Sequence, residues 1–295
     1  MSDTRIRAVI TGVAGYVPDY VLTNEELSRT VDTSDEWIMT RVGIRERHIL
    51  REEGKATSDM AVEAVKNLFK KTGTKPEDVD LLVWSGVTPD MAFPATANII
   101  SEKVGVKNAF GFDINAGCSS FLFALVTMAS YIESGRCKKI VLIGAEKLTM
   151  YVDYTDRSTC PLFGDGAAAV LIEPSTEDLG FIDSITRVDG SGGKHLYLPA
   201  GGSLLPTSME TVLRRQHYIV QDGQAVFKAA VSKMADTAIE LMRKNNLAAD
   251  DIAWLIPHQA NLRIIGATGN RMGMPKDKVM INIDKFGNTS SATVP

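Results

Sequence analysis

The chain has 295 residues, 44% of them hydrophobic and 23% charged, and a formal net charge of −4. Such a composition is globular, and the length suits one large domain or two intimately packed ones. It offers no global positive field for nucleic acid, so an acidic partner would have to dock on a local basic patch.

The N-terminal stretch "MSDTRIRAVITGV" has no basic segment followed by an apolar run, and every apolar run is broken by charge or glycine before membrane-spanning length. This predicts a soluble, cytoplasmic protein. Along the chain, β-rich runs ("RAVITGV", "VDLLVWSGV", "KIVLIGAE", "AAAVLIEP") alternate with helical patterns at 58–71 and 225–244. Alternation of this kind predicts parallel strands under covering helices, a layered α/β architecture. The segment 189–203, "DGSGGKHLYLPAGGS", follows the strand candidate "GFIDSITRV" and reads as a surface loop. Cys118, Cys137 and Cys160 form no C-x-x-C pair and are odd in number, which argues against a disulfide framework or a thiolate zinc site.

The chain also resembles itself. "EDVDLLV" at 77–83 matches "DDIAWLI" at 250–256, and "GCSS" at 117–120 matches "GNTS" at 287–290, at offsets of 173 and 170. Two matches in one order and at nearly one offset predict a duplication, with halves at 1–175 and 176–295. Equivalent loops of the halves would then meet across a pseudo-twofold axis, so that Cys118 and Asn288 face one site.

Cys118 follows Gly117 and precedes an apolar helical pattern, which places its sulfur at or near a helix N-terminus. Free backbone N–H groups and the helix dipole there favour thiolate, predicting a lowered pKa and a site for an oxyanion. The alternative is a small buried hydrophobe, the role left to Cys137 and Cys160. Of four histidines, His48, His195 and His217 lie in charged or glycine-rich surroundings. His258 instead ends the buried-strand candidate "IAWLIP", where ligands of α/β sheets bind; a structural histidine is the competing reading. Asn288 in "FGNTSSAT" reads either as a turn or cap residue or as a hydrogen-bond donor that does not titrate. No phosphate loop, dinucleotide fingerprint, metal cluster or G-x-S-x-G elbow is found in the sequence.

With Cys118, His258 and Asn288 in this order, and with "GVAGYVP", "SDEWIMTRVGIRERH", "NAGCSSF", "FGDGAAA", "PHQANLRII" and "FGNTSSAT", the sequence resembles the thiolase-fold condensing enzymes, most of all β-ketoacyl-[acyl-carrier-protein] synthase III. The resemblance implies a duplicated five-layer α-β-α-β-α arrangement with mixed sheets. It implies that Cys118 takes an acyl group, typically acetyl, from coenzyme A. Malonyl-acyl carrier protein then loses CO2, and its carbanion attacks the acyl-cysteine to release acetoacetyl-acyl carrier protein, with His258 and Asn288 stabilising the enolate. Acyl-CoA would be a substrate, and neither cofactor nor metal is implied.

Carried over by motif, Trp37 and Arg157 match the positions that sandwich the adenine of coenzyme A, Thr33 and Arg41 its other nucleotide contacts, and Asn261 a position near the pantetheine arm. On residue chemistry alone, Trp37 is equally a half-buried anchor and the arginines a solvated face. Arg263 matches a basic patch that meets the acidic carrier protein. Phe93 matches a residue lent to the partner subunit's acyl pocket, implying a homodimer. Family members continue past "GNTSSATVP" into a glycine-rich loop that completes the oxyanion hole with the Cys118 amide, so this chain reads as truncated at Pro295. The alternatives are a related acyl-CoA-dependent condensing enzyme or acyltransferase of a specialised pathway, and an inactive dimeric binding protein.

Overall fold

The computed structural model describes residues 6–295; the first five residues of the N-terminal stretch, "MSDTR", lie outside them. The elements run β1 (Arg7–Tyr16), β2 (Val21–Thr23), α1 (Asn24–Ser28), α2 (Asp35–Arg41), β3 (Glu46–His48), α3 (Thr57–Thr72), β4 (Leu81–Ser85), α4 (Thr96–Val104), β5 (Phe110–Ile114), α5 (Ser120–Glu133), β6 (Ile140–Lys147) and β7 (Asp165–Ser175). They continue as β8 (Leu196–Tyr197), α6 (Met209–Leu213), β9 (Val220–Gln221), α7 (Gly223–Lys244), α8 (Leu262–Met272) and α9 (Ile283–Phe286).

The main sheet has the order β1-β7-β6-β4-β5, with β4 parallel to β5 and β6, and β7 antiparallel to β6 and β1. It is therefore mixed, with helical crossovers only where neighbouring strands run parallel. In β6 the first seven residues are all buried, as expected for a strand covered on both faces. One covering layer is α3, whose buried stripe Met60, Ala61, Ala64, Val65 and Leu68 has helical spacing and packs against Trp84, Ile143 and Leu171. On the other face, α5 turns Phe121, Ala124, Met128 and Ile132 towards Val83, Leu142 and Val170. Strand β5 is an edge, and Phe110 on it is half exposed.

A third apolar cluster joins Leu27, Ile38, Ile44 and Phe163 to Ile265 and Ile283, tying the first 50 residues to α8 and α9. Beside it Arg47 is wholly buried. Its guanidinium donates to the Leu22 carbonyl at 3.1 Å, Asn24 Oδ1 at 2.9 Å and the Pro161 carbonyl at 2.8 Å. Burial pushes its pKa down to about 10.

The second half departs from the strand expectations. Residues 181–188 form no ladder, and the segment 252–257 contributes one parallel bridge, Leu255 to Val279. Trp254 is 55% and Ile256 51% exposed, because among the described residues no strand lies alongside to bury them. The matched repeats nevertheless share local geometry. Pro76–Asp78 and Ala249–Asp251 are both 3-10 turns, and Gly117 and Gly287 have φ of 62° and 66°. A side chain is strained in that left-handed region, so both motifs turn on glycine.

Candidate active site

Between β5 and α5 the chain makes a tight turn that presents Cys118. The Ser120 hydroxyl pins it, donating to the Gly117 carbonyl at 2.6 Å and accepting the Ala116 N–H at 2.8 Å. Cys118 lies two residues before the first residue of α5 and is partly exposed, whereas Cys137 and Cys160 are buried. The lowered pKa expected from the helix start does not hold. Burial pushes the Cys118 thiol up and the Glu146 charge adds to this, while the Ser290 hydroxyl and the Cys118 amide pull it back only in part. The direction of the shift favours thiol over thiolate.

His258 is held by its neighbour. The buried Gln259 carboxamide donates to the carbonyls of Pro257 at 2.9 Å and Met280 at 3.2 Å, and accepts the N–H groups of Asn282 at 3.1 Å and Ile283 at 3.3 Å. This clamp fixes the segment bearing His258 against the one leading to Asn288. Burial lowers the His258 pKa to about 4, so the ring is neutral near pH 7.

Asn288 docks on the segment between Cys160 and β7. Its N–H donates to the Leu162 carbonyl at 2.9 Å, and its carbonyl accepts the Gly164 N–H at 3.1 Å. Its side-chain oxygen accepts the Ser290 N–H at 2.8 Å, which leaves the NH2 end as the one available to a substrate. Ser290 has φ of 50°, unusual for a residue with a side chain. Its carbonyl accepts the Thr293 hydroxyl at 2.8 Å, and Thr293 Oγ1 lies 2.6 Å from His258 Nδ1. Ser290 thus joins two of the three sequence candidates, Asn288 through its N–H and His258 through Thr293, while its own hydroxyl is buried with no hydrogen-bond partner.

A second group gathers around α2. Arg157 stacks over the Trp37 ring at 5.1 Å from its centroid and also reaches Asp32 at 3.3 Å. Thr33 carries a buried hydroxyl with no hydrogen-bond partner. The Arg41 carbonyl accepts the Asn261 amide at 3.1 Å, while Asn261 Oδ1 caps α8 through the Arg263 N–H at 2.9 Å. The structure therefore brings Trp37 with Arg157, and Arg41 with Asn261. Arg263 is exposed with its guanidinium over Phe227 of α7 at 4.6 Å. Phe93 is 84% exposed.

A family model described as 3-oxoacyl-[acyl-carrier-protein] synthase III matches residues 112–190, and the one for its C-terminal part matches 242–295. The chain is 56% identical to β-ketoacyl-[acyl-carrier-protein] synthase III 2 of Bacteroides thetaiotaomicron over 291 residues, covering 99% of this chain and 87% of that one. It is 56% identical to the synthase III of Phocaeicola vulgatus over the same shares. This chain belongs to the β-ketoacyl-[acyl-carrier-protein] synthase III family. The crystal structure of the synthase III from Aquifex aeolicus superimposes with a TM-score of 0.89 at 39% identity, covering 98% of this chain and 88% of that one. The synthase III fold is thiolase-like, and members of the family are acyltransferases that carry out the initiating condensation of fatty-acid synthesis.

In this synthase III, two contributors to the site escaped sequence reasoning. Glu146, at the end of β6, is fully buried; its carboxylate accepts the Val87 and Thr88 N–H groups at 3.0 Å and the Thr88 hydroxyl at 2.6 Å. Burial still pushes its pKa up to about 7, with Ser290 and Ser291 among the groups that lower it. The only sequence signal was a glutamate closing an otherwise apolar strand. Thr293 gave none beyond its place in "GNTSSAT". The other histidines have local partners: His48 at the Pro18 carbonyl, His217 at Thr211 and His195 at Asp222. No helix among the described residues is long and apolar enough to cross a membrane.

Proposed function

We propose that this synthase III moves an acyl group, typically acetyl, from coenzyme A to Cys118 and condenses it with malonyl-acyl carrier protein, yielding acetoacetyl-acyl carrier protein and CO2. The observation that carries the reading is the Ser290–Thr293 link that joins His258 to Asn288, with the partly exposed Cys118 on the turn before α5. In acyl transfer the Cys118 thiol loses its proton as sulfur bonds to the thioester carbon; the tetrahedral intermediate then expels the coenzyme A sulfur, which takes up the proton. In condensation the malonyl carboxylate leaves as CO2, and its electron pair becomes an enolate held by neutral donors at His258 and Asn288. The enolate carbon bonds to the acyl carbon, Cys118 departs as thiolate, and a proton from solvent restores the thiol. Decarboxylation generates the carbanion, so no base has to remove a carbon-bound proton and no cofactor is called for.

Trp37 with Arg157, and Thr33 with Arg41, serve the nucleotide of acyl-CoA in this reading, Asn261 flanks the pantetheine arm, and Arg263 meets the carrier protein. Arg157 lies against the Trp37 ring, so the pair is together but must part to admit a base between its members. A homodimer formed through the unpaired β5 edge fits the exposure of Phe93 and Phe110. The division into halves at 1–175 and 176–295 is supported by the matched turns and glycines. A cytoplasmic site of action completes the reading.

Incubation with labelled acetyl-CoA tests it. Label is expected on Cys118 and absent from Cys118→Ser; malonyl-acyl carrier protein then releases CO2 and a ketoacyl product. Retained label without condensation would instead favour an acyltransferase, and no label a binding protein.

A further inference from the structure

His258 and Asn288 are anchored unequally. The Asn288 backbone is bonded in both directions to the segment before β7, through the Leu162 carbonyl at 2.9 Å and the Gly164 N–H at 3.1 Å. Residues 256–260, by contrast, make no backbone-to-backbone hydrogen bond among the described residues; the flanking ones are those of Leu255 with Lys278 and Met280, and of the Leu262 N–H with the Val42 carbonyl. A stretch without such bonds keeps one conformation only where side chains supply them.

Gln259 supplies them. Its buried carboxamide gives both donors to carbonyls, of Pro257 at 2.9 Å and Met280 at 3.2 Å, and its oxygen accepts the N–H groups of Asn282 at 3.1 Å and Ile283 at 3.3 Å. That oxygen caps α9, whose own N-cap residue, Asn282, makes no side-chain cap. One helical turn further on, the Gly287 N–H donates to the Ile283 carbonyl at 2.9 Å, and Asn288 follows. The Thr293 hydroxyl closes a circuit: His258 is joined to Asn288 through Thr293 and Ser290 on the ring side, and through Gln259 and α9 on the main-chain side. The demand is for two donors and a doubly accepting oxygen at this reach; asparagine is one carbon short, and an ionised glutamate has no donor.

We propose that Gln259 is a positioning residue for condensation, setting His258 at the separation from Asn288 at which two neutral donors share one enolate oxygen. This rests on the reading that His258 and Asn288 hold the enolate. Displacing such a donor by about 1 Å costs on the order of 100-fold in rate, because it no longer points to where charge develops. The Cys118 turn is pinned separately, by the Ser120 hydroxyl on the Gly117 carbonyl and the Ala116 N–H. The Leu255–Val279 bridge and the buried Ile283 side chain also hold their segment without the Gln259 carboxamide. A change at Gln259 therefore bears on condensation and spares acyl transfer.

Gln259→Glu and Gln259→Met in the full-length enzyme test the proposal, each read in two half-reactions: labelling of Cys118 by acetyl-CoA, and CO2 release from malonyl-acyl carrier protein by enzyme already acylated. At pH 8 both variants are expected to release CO2 about 30-fold more slowly, with labelling within about threefold of wild type, which also shows that they fold. Burial and two facing carbonyls raise the pKa of the introduced carboxyl, so at pH 6 it is protonated and donates again. CO2 release by Gln259→Glu, taken relative to wild type at the same pH, should then recover about fivefold, while Gln259→Met does not recover. Added to Asn288→Ala, either change is expected to cost less than about threefold, because the partner it positions against is gone. Equal slowing of both half-reactions would overturn the proposal, as would unchanged CO2 release, a full effect in the Asn288→Ala background, or a Gln259→Glu loss that pH 6 leaves unrelieved. A wild-type enzyme that takes no label, or takes label without releasing CO2, would fail the underlying reading before this one is reached.

Discussion

The Ser290 N–H donates to Asn288 Oδ1 at 2.8 Å, a bond that settles which end of the Asn288 carboxamide is left to donate. An amide oriented by its own backbone has no rotamer to search when charge develops on the substrate, which is the condition for electrostatic stabilisation to act.

Asn288→Asp retains the acceptor for Ser290 but replaces the donor with an oxygen. CO2 release from malonyl-acyl carrier protein is expected to fall about 100-fold or more, with Cys118 still acylated by acetyl-CoA. Single-turnover mass spectrometry of the acyl-enzyme, paired with CO2 release, measures both; an equal fall in the two would remove the assigned role.

The pH dependence follows from the directions of two shifts. The Cys118 thiol is raised above its ordinary 9.0 and His258 lowered to about 4. Alkylation of Cys118 by iodoacetamide should therefore climb steadily from pH 6 to 9 without a plateau, and no histidine limb should appear between pH 5 and 8. A plateau near neutrality would indicate a resting thiolate and contradict the burial argument.

Glu146 makes stability depend on pH in a less usual sense. Its pKa is 4.5 in an open chain and about 7 when folded, so between these values the folded state holds the extra proton. Stability therefore falls as pH rises from 4.5 to 7. Asp165, raised to about 6 by burial, adds to the fall. Glu146→Gln should flatten the decline by about 2–3 kcal/mol, read from urea midpoints at pH 5 and pH 8. An unaltered decline would place the titrating group elsewhere.

A Cβ at Gly144 would lie 2.7 Å from the Ser291 carbonyl oxygen, so β6 presses directly on the segment carrying Ser290 and Thr293. Gly144→Ala is expected to cost about 1–3 kcal/mol and to slow condensation by more than the thermal shift explains. Wild-type turnover in a stable Gly144→Ala enzyme would show that the segment tolerates displacement.

Trp37→Ala removes the surface on which Arg157 stacks. The KM for acetyl-CoA should rise about tenfold, while that for acetyl-pantetheine, which lacks the nucleotide, stays unchanged. A parallel rise in both would mean that Trp37 serves packing alone.

Much of the first half was legible because its elements carry their own period. The continuous apolar runs of β4, β6 and β7 and the helical stripe of α3 can be found within one short window. Residues 181–188 and 252–257 have equally strand-like composition, yet a strand exists only with a partner, and partners are set by long-range topology. The site divides in the same way. Cys118, His258 and Asn288 stand in recognisable motifs, whereas the direction of the Cys118 shift depends on burial and on Glu146, neither of which a helix-start argument contains. Thr293 looks like any turn threonine until the fold sets it 2.6 Å from a ring 35 residues away in sequence.

Arg47 carries a further implication. Its three acceptors, two peptide carbonyls and an amide oxygen, bear no formal charge, so the buried cation is solvated by dipoles rather than cancelled by a counter-ion. A planar five-donor fork can span them; a lysine ammonium, a point charge on a flexible stem, could not reproduce that reach. The guanidinium therefore works as a spacer of fixed dimensions between β2, the first residue of α1 and the loop before β7.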